Sequence, residues 1–258
     1  MSPAAAIAFE NVAKRYGEAT PVLDGVSLAV HEREFLAVVG PSGSGKSTLL
    51  RLINRLIDPS TGAVRVNGED VQATDAVALR RRIGYVFQGV GLFPHMTVAE
   101  NIAITPKLLG WDNARMTARV DELIRLVRLD GAKHRERLPA ELSGGEGQRV
   151  GVARALAAEP KIMLMDEPFG ALDPLTRDAL GEDYRRLHGE LGLTTVMVTH
   201  DMLEALLLAD RIVVMRGGRI IADGTPDALL NGVQDDYVRE LMAAPRRQAE
   251  RLRALERR

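Results

Sequence analysis

An apolar run leads directly into a glycine-rich turn at residues 35–47. The run reads Phe35-Leu36-Ala37-Val38-Val39, and the turn reads Gly40-Pro41-Ser42-Gly43-Ser44-Gly45-Lys46-Ser47. This turn matches G-x-x-x-x-G-K-[ST] in full, and residues 47–57 after it have a helical pattern. Glycines let successive backbone N–H groups point inward around a phosphate, and the helix N-terminus adds partial positive charge. The sequence therefore predicts a strand, a phosphate-binding turn and a helix, which together form a nucleotide triphosphate site.

Two side chains of the turn have distinct expected roles. Lys46 is expected to reach the β- and γ-phosphates, and the Ser47 hydroxyl is expected to be a ligand of Mg²⁺. The alternative is a plain glycine-rich turn without a ligand. The strand before the turn and the helix after it favour the nucleotide site.

Two adjacent carboxylates end a second apolar run, Ile162-Met163-Leu164-Met165-Asp166-Glu167. Neighbouring side chains of a strand point to opposite faces, so the two acids are expected to differ in role. We expect Asp166 to hold the Mg²⁺ shell and Glu167 to polarise the attacking water. An acidic turn after a buried strand is the alternative. The phosphate-binding turn elsewhere in the chain favours the catalytic interpretation, because ligands bind at the carboxyl ends of strands in open α/β sheets.

Two further polar residues follow apolar runs. His200 follows residues 195–198, and Gln88 follows residues 83–87. A neutral imidazole at 200 could contact the γ-phosphate, although a lone histidine is more often structural. Gln88 could bridge Mg²⁺ to the helical part of the chain, or be an ordinary polar residue.

The runs and helical patterns together predict an α/β fold with a parallel sheet covered on both faces. The expected strands are 35–39, 83–87, 162–165, 195–198 and 211–215, and the expected helices are 47–57, 116–129, 146–158, 175–191 and 203–209. Residues of about 89–158 show no convincing strand, and we expect them to be an inserted helical subdomain within an ATPase domain spanning 1–235. Residues 236–258 are expected to be a helix-prone tail, whose last thirteen residues hold six arginines. That tail could be a solvated helix or a contact for anionic lipid.

Composition excludes several classes of protein. The 258 residues carry 34 Lys+Arg against 35 Asp+Glu, and hydrophobic residues make up 46%. This balance excludes overall disorder and argues against a dedicated nucleic-acid binder. There is no cysteine, hence no disulfide or thiolate metal site. The sequence has no apolar run of roughly 18 residues and no basic signal-peptide region, so we expect a soluble, intracellular protein.

A further motif stands before the acidic strand, at Leu142-Ser143-Gly144-Gly145-Glu146. Ser143 with Glu146 three residues later is a capping box, and a capped helix start is also an anion site. With this motif in place, residues 6–235 resemble the ATP-binding subunits of ABC transporters. The resemblance covers, in the family's order, the glycine-rich turn, Gln88, residues 142–150 and 162–168, Ala171-Leu172-Asp173 and His200.

The resemblance implies a P-loop ATPase that forms a head-to-tail homodimer with two ATP molecules at its interface. In that dimer Ser143 and Gly145 would face the partner's ATP, and Asp173 would link the two sites. The residues implied for ATP are Tyr16, which would stack on adenine, and Gly40, Pro41, Ser42, Gly43, Ser44, Gly45, Lys46, Ser47, Thr48, Gln88, Ser143, Gly144, Gly145 and Glu146. The implied Mg²⁺ ligands are Ser47, Gln88 and Asp166, and the implied catalytic residues are Lys46, Glu167 and His200.

The chain departs from the family at Glu146, where glutamine is most common. A carboxylate near the partner's γ-phosphate is expected to weaken closure of the dimer, unless a cation such as Arg149 offsets it. Replacing Glu146 by Gln is therefore expected to tighten ATP-dependent dimerisation.

The segment from Gln88 to Ile102, with residues 106–111 after it, looks like importers of quaternary-amine osmoprotectants such as glycine betaine, choline or carnitine. In the family this segment receives the membrane permease subunits, although Leu92, Phe93 and Met96 could simply pack in a core. The implied partners are those permeases and, indirectly, a substrate-binding protein, with no nucleic acid. The implied location is cytoplasmic, peripheral on the inner face of the membrane. Larger members of the group carry regulatory modules at the carboxyl end, and we expect none within these 258 residues.

Other functions remain open at this stage. The solute could instead be an amino acid, a polyamine or an anion. A soluble ABC protein acting on ribosomes or DNA usually has two cassettes or long coiled coils, which this sequence lacks. A nucleotide-binding regulator without turnover is disfavoured by the presence of Glu167 and His200.

Overall fold

Two sheets form the framework of the protein, as shown by a computed structural model that describes residues 5–18, 20–89, 91–170, 172–232 and 235–256. The strands in these ranges are β1 (Ala5–Lys14), β2 (Leu23–His31), β3 (Phe35–Val39), β4 (Thr61–Val66), β5 (Glu69–Asp70), β6 (Ile83–Val86), β7 (Ile162–Asp166), β8 (Thr194–Val198), β9 (Arg211–Arg216) and β10 (Arg219–Gly224). One sheet has the order β10-β9-β3-β8-β7-β6 and is parallel except where β10 joins β9. The other has the order β2-β1-β4-β5 and is antiparallel.

Helices connect the parallel strands and cover that sheet. The α-helices are α1 (Lys46–Ile53), α2 (Ala76–Arg81), α3 (Val98–Leu108), α4 (Asn113–Leu126), α5 (Gly131–His134), α6 (Gly144–Leu156), α7 (Pro174–Leu191), α8 (Met202–Leu208), α9 (Pro226–Gly232) and α10 (Asp236–Glu256), with a 3-10 turn at Pro139–Glu141. Between β6 and β7, the described residues form helices and turns and no strand. None of the helices in the described ranges is long and apolar enough to span a bilayer.

The central strand β3 is fully buried because each of its faces contributes to a different core. Phe35, Ala37 and Val39 pack in the cluster shared with the helices. Leu36 and Val38 pack in a second cluster, which lies between the two sheets. Side chains alternate along a strand, so a strand covered on both sides reads as an unbroken apolar run. This explains why the sequence pattern identified β3 correctly.

The predicted α/β fold with a covered parallel sheet is confirmed, and each of the five predicted strands is present within one residue at either end. The predicted helices are also present, with boundaries that differ by up to four residues. The antiparallel sheet was not predicted. The tail begins as α10 and is not wholly solvated, because Val238 and Met242 are buried in the core. Val90, Ala171 and the ends 1–4 and 257–258 lie outside the described residues.

Candidate nucleotide site

The turn between β3 and α1 approaches the neighbouring backbone too closely for side chains at two positions. A Cβ on Gly40 would lie 2.1 Å from the Met215 carbonyl oxygen, and one on Gly45 would lie 2.6 Å from Leu23 Cδ2. Both glycines also have positive φ, 152° and 99°. Only glycine satisfies both conditions, so the sequence folds here into a turn with an open interior.

The Lys46 ammonium lies inside this turn. Its Nζ donates to the carbonyl oxygens of Gly40 and Pro41, at 2.8 and 3.0 Å, and the residue is only 6% exposed. Burial lowers the pKa of Lys46, whereas the charges of Glu167 and Asp166 oppose that shift. A buried ammonium is costly unless an anion pairs with it. The cradle therefore fits a phosphate group.

Ser47 and Asp166 meet at the carboxyl ends of β3 and β7. Ser47 Oγ donates a 2.9 Å hydrogen bond to Asp166 Oδ1. Burial is the main cause that raises the pKa of Asp166, while the bond from Ser47 acts in the opposite direction. Tyr85 of β6 lies beside this carboxylate, and its own pKa is raised mainly by burial and also by Asp166. A hydroxyl and a carboxylate at this point are hard oxygen donors, which Mg²⁺ prefers.

Glu167 is placed by an unusual backbone conformation. Its φ is 46°, and its N–H donates to the Val198 carbonyl at 2.8 Å. The carboxylate accepts a 2.9 Å hydrogen bond from Gln88 Nε2, and its other oxygen lies 3.4 Å from His200 Nδ1. The ends of β6, β7 and β8 thus bring together three polar residues that are far apart in sequence.

The N-terminus of α6 is capped by Ser143 and packs closely against α7. Ser143 Oγ accepts from Glu146 N–H at 3.3 Å, and Ser143 N–H donates to Glu146 Oε2 at 2.8 Å. This is the predicted capping box. A Cβ on Gly145 would lie 2.5 Å from Thr176 Cγ2, whereas one on Gly144 would meet nothing within 4 Å. Among the described contacts, none joins this helix start to Lys46 of the same chain.

A profile described as "ABC transporter" matches residues 23–170. The chain belongs to the ABC transporter family. This confirms the family resemblance that the motifs indicated.

Named relatives and a solved structure extend this assignment. The choline transport ATP-binding protein OpuBA of Bacillus subtilis is 49% identical over 93% of this chain and 63% of its own length. The glycine betaine/carnitine/choline transport ATP-binding protein OpuCA of the same organism is 48% identical over 92% of this chain and 62% of its own length. The chain thus spans about three fifths of the length of these curated relatives. The ATP-binding cassette MJ0796, in a dimeric post-hydrolysis structure bound to ADP and Pi, is 34% identical, with a TM-score of 0.77 over 85% of this chain and 98% of its own.

Two other expected site residues of this ABC domain lie on exposed segments. Tyr16 follows β1, is 49% exposed and has Lys14 Nζ 5.1 Å from its ring centroid. Asp173 caps α7 by accepting from Thr176 N–H at 3.1 Å, and its interactions with Thr176 lower its pKa. Neither residue contacts the Lys46 turn among the described contacts.

The remaining expected ATP residues of the ABC domain lie on the turn and the first residues of α1. These are Pro41, Ser42, Gly43, Ser44 and Thr48. Ser44 Oγ is buried without a hydrogen-bond partner in the described part of the chain. An unpaired buried hydroxyl at this position is a further indication that the turn is shaped for a polar ligand.

Sequence reasoning missed residues that hold the site segments in place. Asn101 is fully buried and its Nδ2 donates to the carbonyls of Phe93, Met96 and Thr97 at 3.2, 3.0 and 3.0 Å, while its Oδ1 accepts from Phe93 N–H at 2.9 Å. Arg177 of α7 donates to the carbonyl of Leu172, just before Asp173, and to the carboxylate of Asp201, just after His200. An asparagine within the first turn of an apolar helix was the available signal for Asn101. Arg177 had none, because its partners lie on two separate loops.

Proposed function

We propose that the protein is the ATP-hydrolysing subunit of an ABC importer. The observation that carries this proposal is the Lys46 ammonium buried inside the glycine-rich turn, with Asp166 and Glu167 at the adjacent strand end. A phosphate chain in the turn would replace the carbonyls as the partner of Lys46. Glu167 is then in position to orient a water molecule for attack on the γ-phosphate.

Mg²⁺ fits the oxygen donors beside the turn. Ser47 Oγ and Asp166 would hold the ion, directly or through water, and the amide oxygen of Gln88, which has no partner among the described contacts, would turn towards it. When bound, Mg²⁺ supplies charge that neutralises the β- and γ-phosphate oxygens. The protein residues align the phosphates and hold the water, with His200 as a further contact for the γ-phosphate.

A head-to-tail dimer would complete each site. The capped start of α6 presents Ser143 and the first N–H groups of the helix, and among the described contacts it has none with Lys46 of its own chain. The same helix start on a second copy could supply those groups to the γ-phosphate. The dimeric structure of MJ0796, which is bound to ADP and Pi, supports the pairing of two copies. Asp173, at the start of the adjacent α7, would then lie near the interface.

A groove of about 640 Å³ beside Gln88 is suited to a membrane permease. Its apolar lining includes the exposed side chains of Phe87, Phe93 and Leu108. Asn101 fixes the loop that carries Phe93. An exposed apolar groove fits a short helix of a partner subunit. The protein would therefore lie on the cytoplasmic face of the membrane, and a substrate-binding protein would act on the outer side.

The proposed solute is a quaternary amine such as glycine betaine, choline or carnitine. The names of OpuBA and OpuCA support this class. The solute does not contact this subunit, so only transport can identify it.

The test is uptake of labelled glycine betaine and choline at high external osmolarity, in cells that depend on this chain for the subunit. We expect uptake with the unaltered chain and with a control that replaces the exposed Lys161 by Ala, and none with Lys46→Ala. If the assembled transporter hydrolyses ATP but takes up neither solute, the proposed solute class is wrong and the proposed ATP-hydrolysing function stands. If the assembled transporter has no ATPase activity, the proposed ATP-hydrolysing function is wrong.

A further inference from the structure

The His134 side chain lies between two hydrogen-bond acceptors at the end of α5. Its Nδ1 is 2.8 Å from the Asp130 carbonyl oxygen, and its Nε2 is 2.8 Å from Glu146 Oε1. The residue is only 5% exposed. The pair joins α5 to the first turn of α6, which carries Ser143 and the glycines expected at the dimer interface.

Each ring nitrogen of His134 faces an oxygen acceptor in this arrangement. A neutral imidazole has one N–H and one acceptor nitrogen. The Asp130 carbonyl can only accept, so Nδ1 is protonated, and an ionised carboxylate can also only accept, so Nε2 is protonated as well. Glu146 is ionised, because the Ser143 N–H and then His134 lower its pKa to about 2. His134 and Glu146 therefore form an imidazolium–carboxylate pair.

The other charged groups near this pair have their own partners. The Asp130 carboxylate caps α5 at Ala132 N–H, and Arg135 pairs with Asp121 of α4. Arg149, which was named as a cation that could offset Glu146, pairs with Asp183 at 2.8 Å and donates to the Val127 carbonyl. On the same segment, Arg137 donates to the Glu141 carbonyl. Among the described contacts, His134 is thus the group that pairs with Glu146, and Arg149 does not take that role.

We propose that His134 is a positioning residue that neutralises the Glu146 carboxylate and ties its Oε1 to α5, so that the start of α6 carries no net negative charge towards the nucleotide expected on the second subunit. The Ser143 hydroxyl and the first N–H groups of α6 are then left for the γ-phosphate without a competing negative charge. This inference rests on the proposed ATP-driven dimer. It also accounts for how the chain carries a glutamate at the start of α6, since the compensating charge comes from α5.

The test measures ATP-driven dimerisation in a Glu167→Gln background, which is expected to hold ATP without turnover. We compare that parent with three further variants, which carry His134→Ala, Glu146→Gln or both. Loss of His134 leaves the carboxylate uncompensated, so we expect the dimer dissociation constant to rise by about tenfold or more. The variant with both changes should recover to within about threefold of Glu146→Gln alone. Glu146→Gln alone should change the dimer dissociation constant little. This expectation differs from the tighter dimerisation that the sequence predicted.

Rescue by Glu146→Gln separates a charge effect from a packing effect. If His134 only fills space, the doubly substituted protein will dimerise as weakly as His134→Ala, and that result would overturn the proposal. Nitrogen NMR of His134 in the nucleotide-free monomer at about pH 7.5 gives a second readout that does not depend on ATP or folding of a variant. Two protonated ring nitrogens are expected, and a single one would also overturn it.

Different experimental results would overturn the proposed function and this inference. If the Glu167→Gln parent does not dimerise with ATP, the proposed motor is overturned and with it the role of His134 at the interface. If the parent dimerises and His134 is singly protonated or its loss is not rescued, the motor stands and this inference alone is overturned.

Discussion

Gln88 Nε2 donates a 2.9 Å hydrogen bond to Glu167 Oε2, although the two residues are 79 positions apart in the chain. Gln88 begins the segment that leads to the apolar groove, and Glu167 ends β7 beside the phosphate turn. One hydrogen bond therefore joins the proposed permease surface to the proposed catalytic carboxylate. A shift of the segment that carries Gln88 would change the position or charge environment of Glu167 directly.

Replacement of Glu167 by Gln should slow ATP hydrolysis by about 10²- to 10⁴-fold while ATP binding is kept, because the amide cannot take a proton from water. The measurement is single-turnover phosphate release, with the dimer followed by size-exclusion chromatography. The exposed Glu182→Gln on α7 is the control and should hydrolyse at the unaltered rate. Full turnover by Glu167→Gln would show that another group orients the attacking water.

The two glycines at the start of α6 should respond differently to alanine. Gly145→Ala should lower the free energy of unfolding by about 1–3 kcal/mol, because its Cβ would overlap Thr176 Cγ2. Gly144→Ala has open space and should be neutral or slightly stabilising. Urea denaturation measures both. Thr176→Ser removes the overlapping methyl group and should restore most of the loss in Gly145→Ala; no recovery would contradict this explanation.

Asn101→Ala should destabilise the protein by about 2 kcal/mol or more, because it removes four hydrogen bonds made by a fully buried side chain, among them those to Phe93 N–H and the Met96 carbonyl. It should also reduce stimulation of the ATPase by the permease, since that loop carries Phe93. The exposed Asn113→Ala at the start of α4 is the matched control. Unfolding by urea and ATPase activity of the assembled transporter provide the two readouts. Equal stability of both variants would argue against Asn101 as the support of the loop.

The pH dependence of stability should contain a contribution from Glu146. Its pKa is lowered to about 2 in the folded protein from an ordinary value of 4.5. A depressed carboxyl pKa stabilises the folded state above the unfolded pKa, and that contribution is lost as the pH falls from about 4.5 towards 2. Unfolding at pH 5 and pH 3 should therefore show a larger drop for the unaltered protein than for Glu146→Gln. Parallel curves would show that the carboxylate is not held as described.

The parts of the fold that could be predicted are those with short-range signals. The apolar runs identified β3, β7 and β8, since strands buried on both faces have mostly apolar side chains. The antiparallel sheet was missed because β1 has register irregularities between Phe9 and Val12 and beyond, which break the expected alternation. Propensity and period alone do not reveal such irregularities.

The residues of the candidate site could be predicted where a sequence motif specifies the type of residue at a position. Gln88, Asp166, Glu167 and His200 could be placed at one edge because parallel strands bring their carboxyl ends together. The partner of Glu146 could not be found from sequence, because His134 is 12 positions away and meets it only through the packing of α5 on α6.

The backbone conformation of Glu167, with φ of 46°, reduces the stability of the fold at the position where the proposed activity needs a carboxylate. A non-glycine residue in that conformation carries strain of about 1 kcal/mol or more, from which glycine is free. A selection for thermal stability alone would therefore favour glycine at 167 and would discard the carboxylate in the same step. Directed evolution of this domain for robustness needs a simultaneous screen for turnover, because this strain lies at the residue that the proposed chemistry requires.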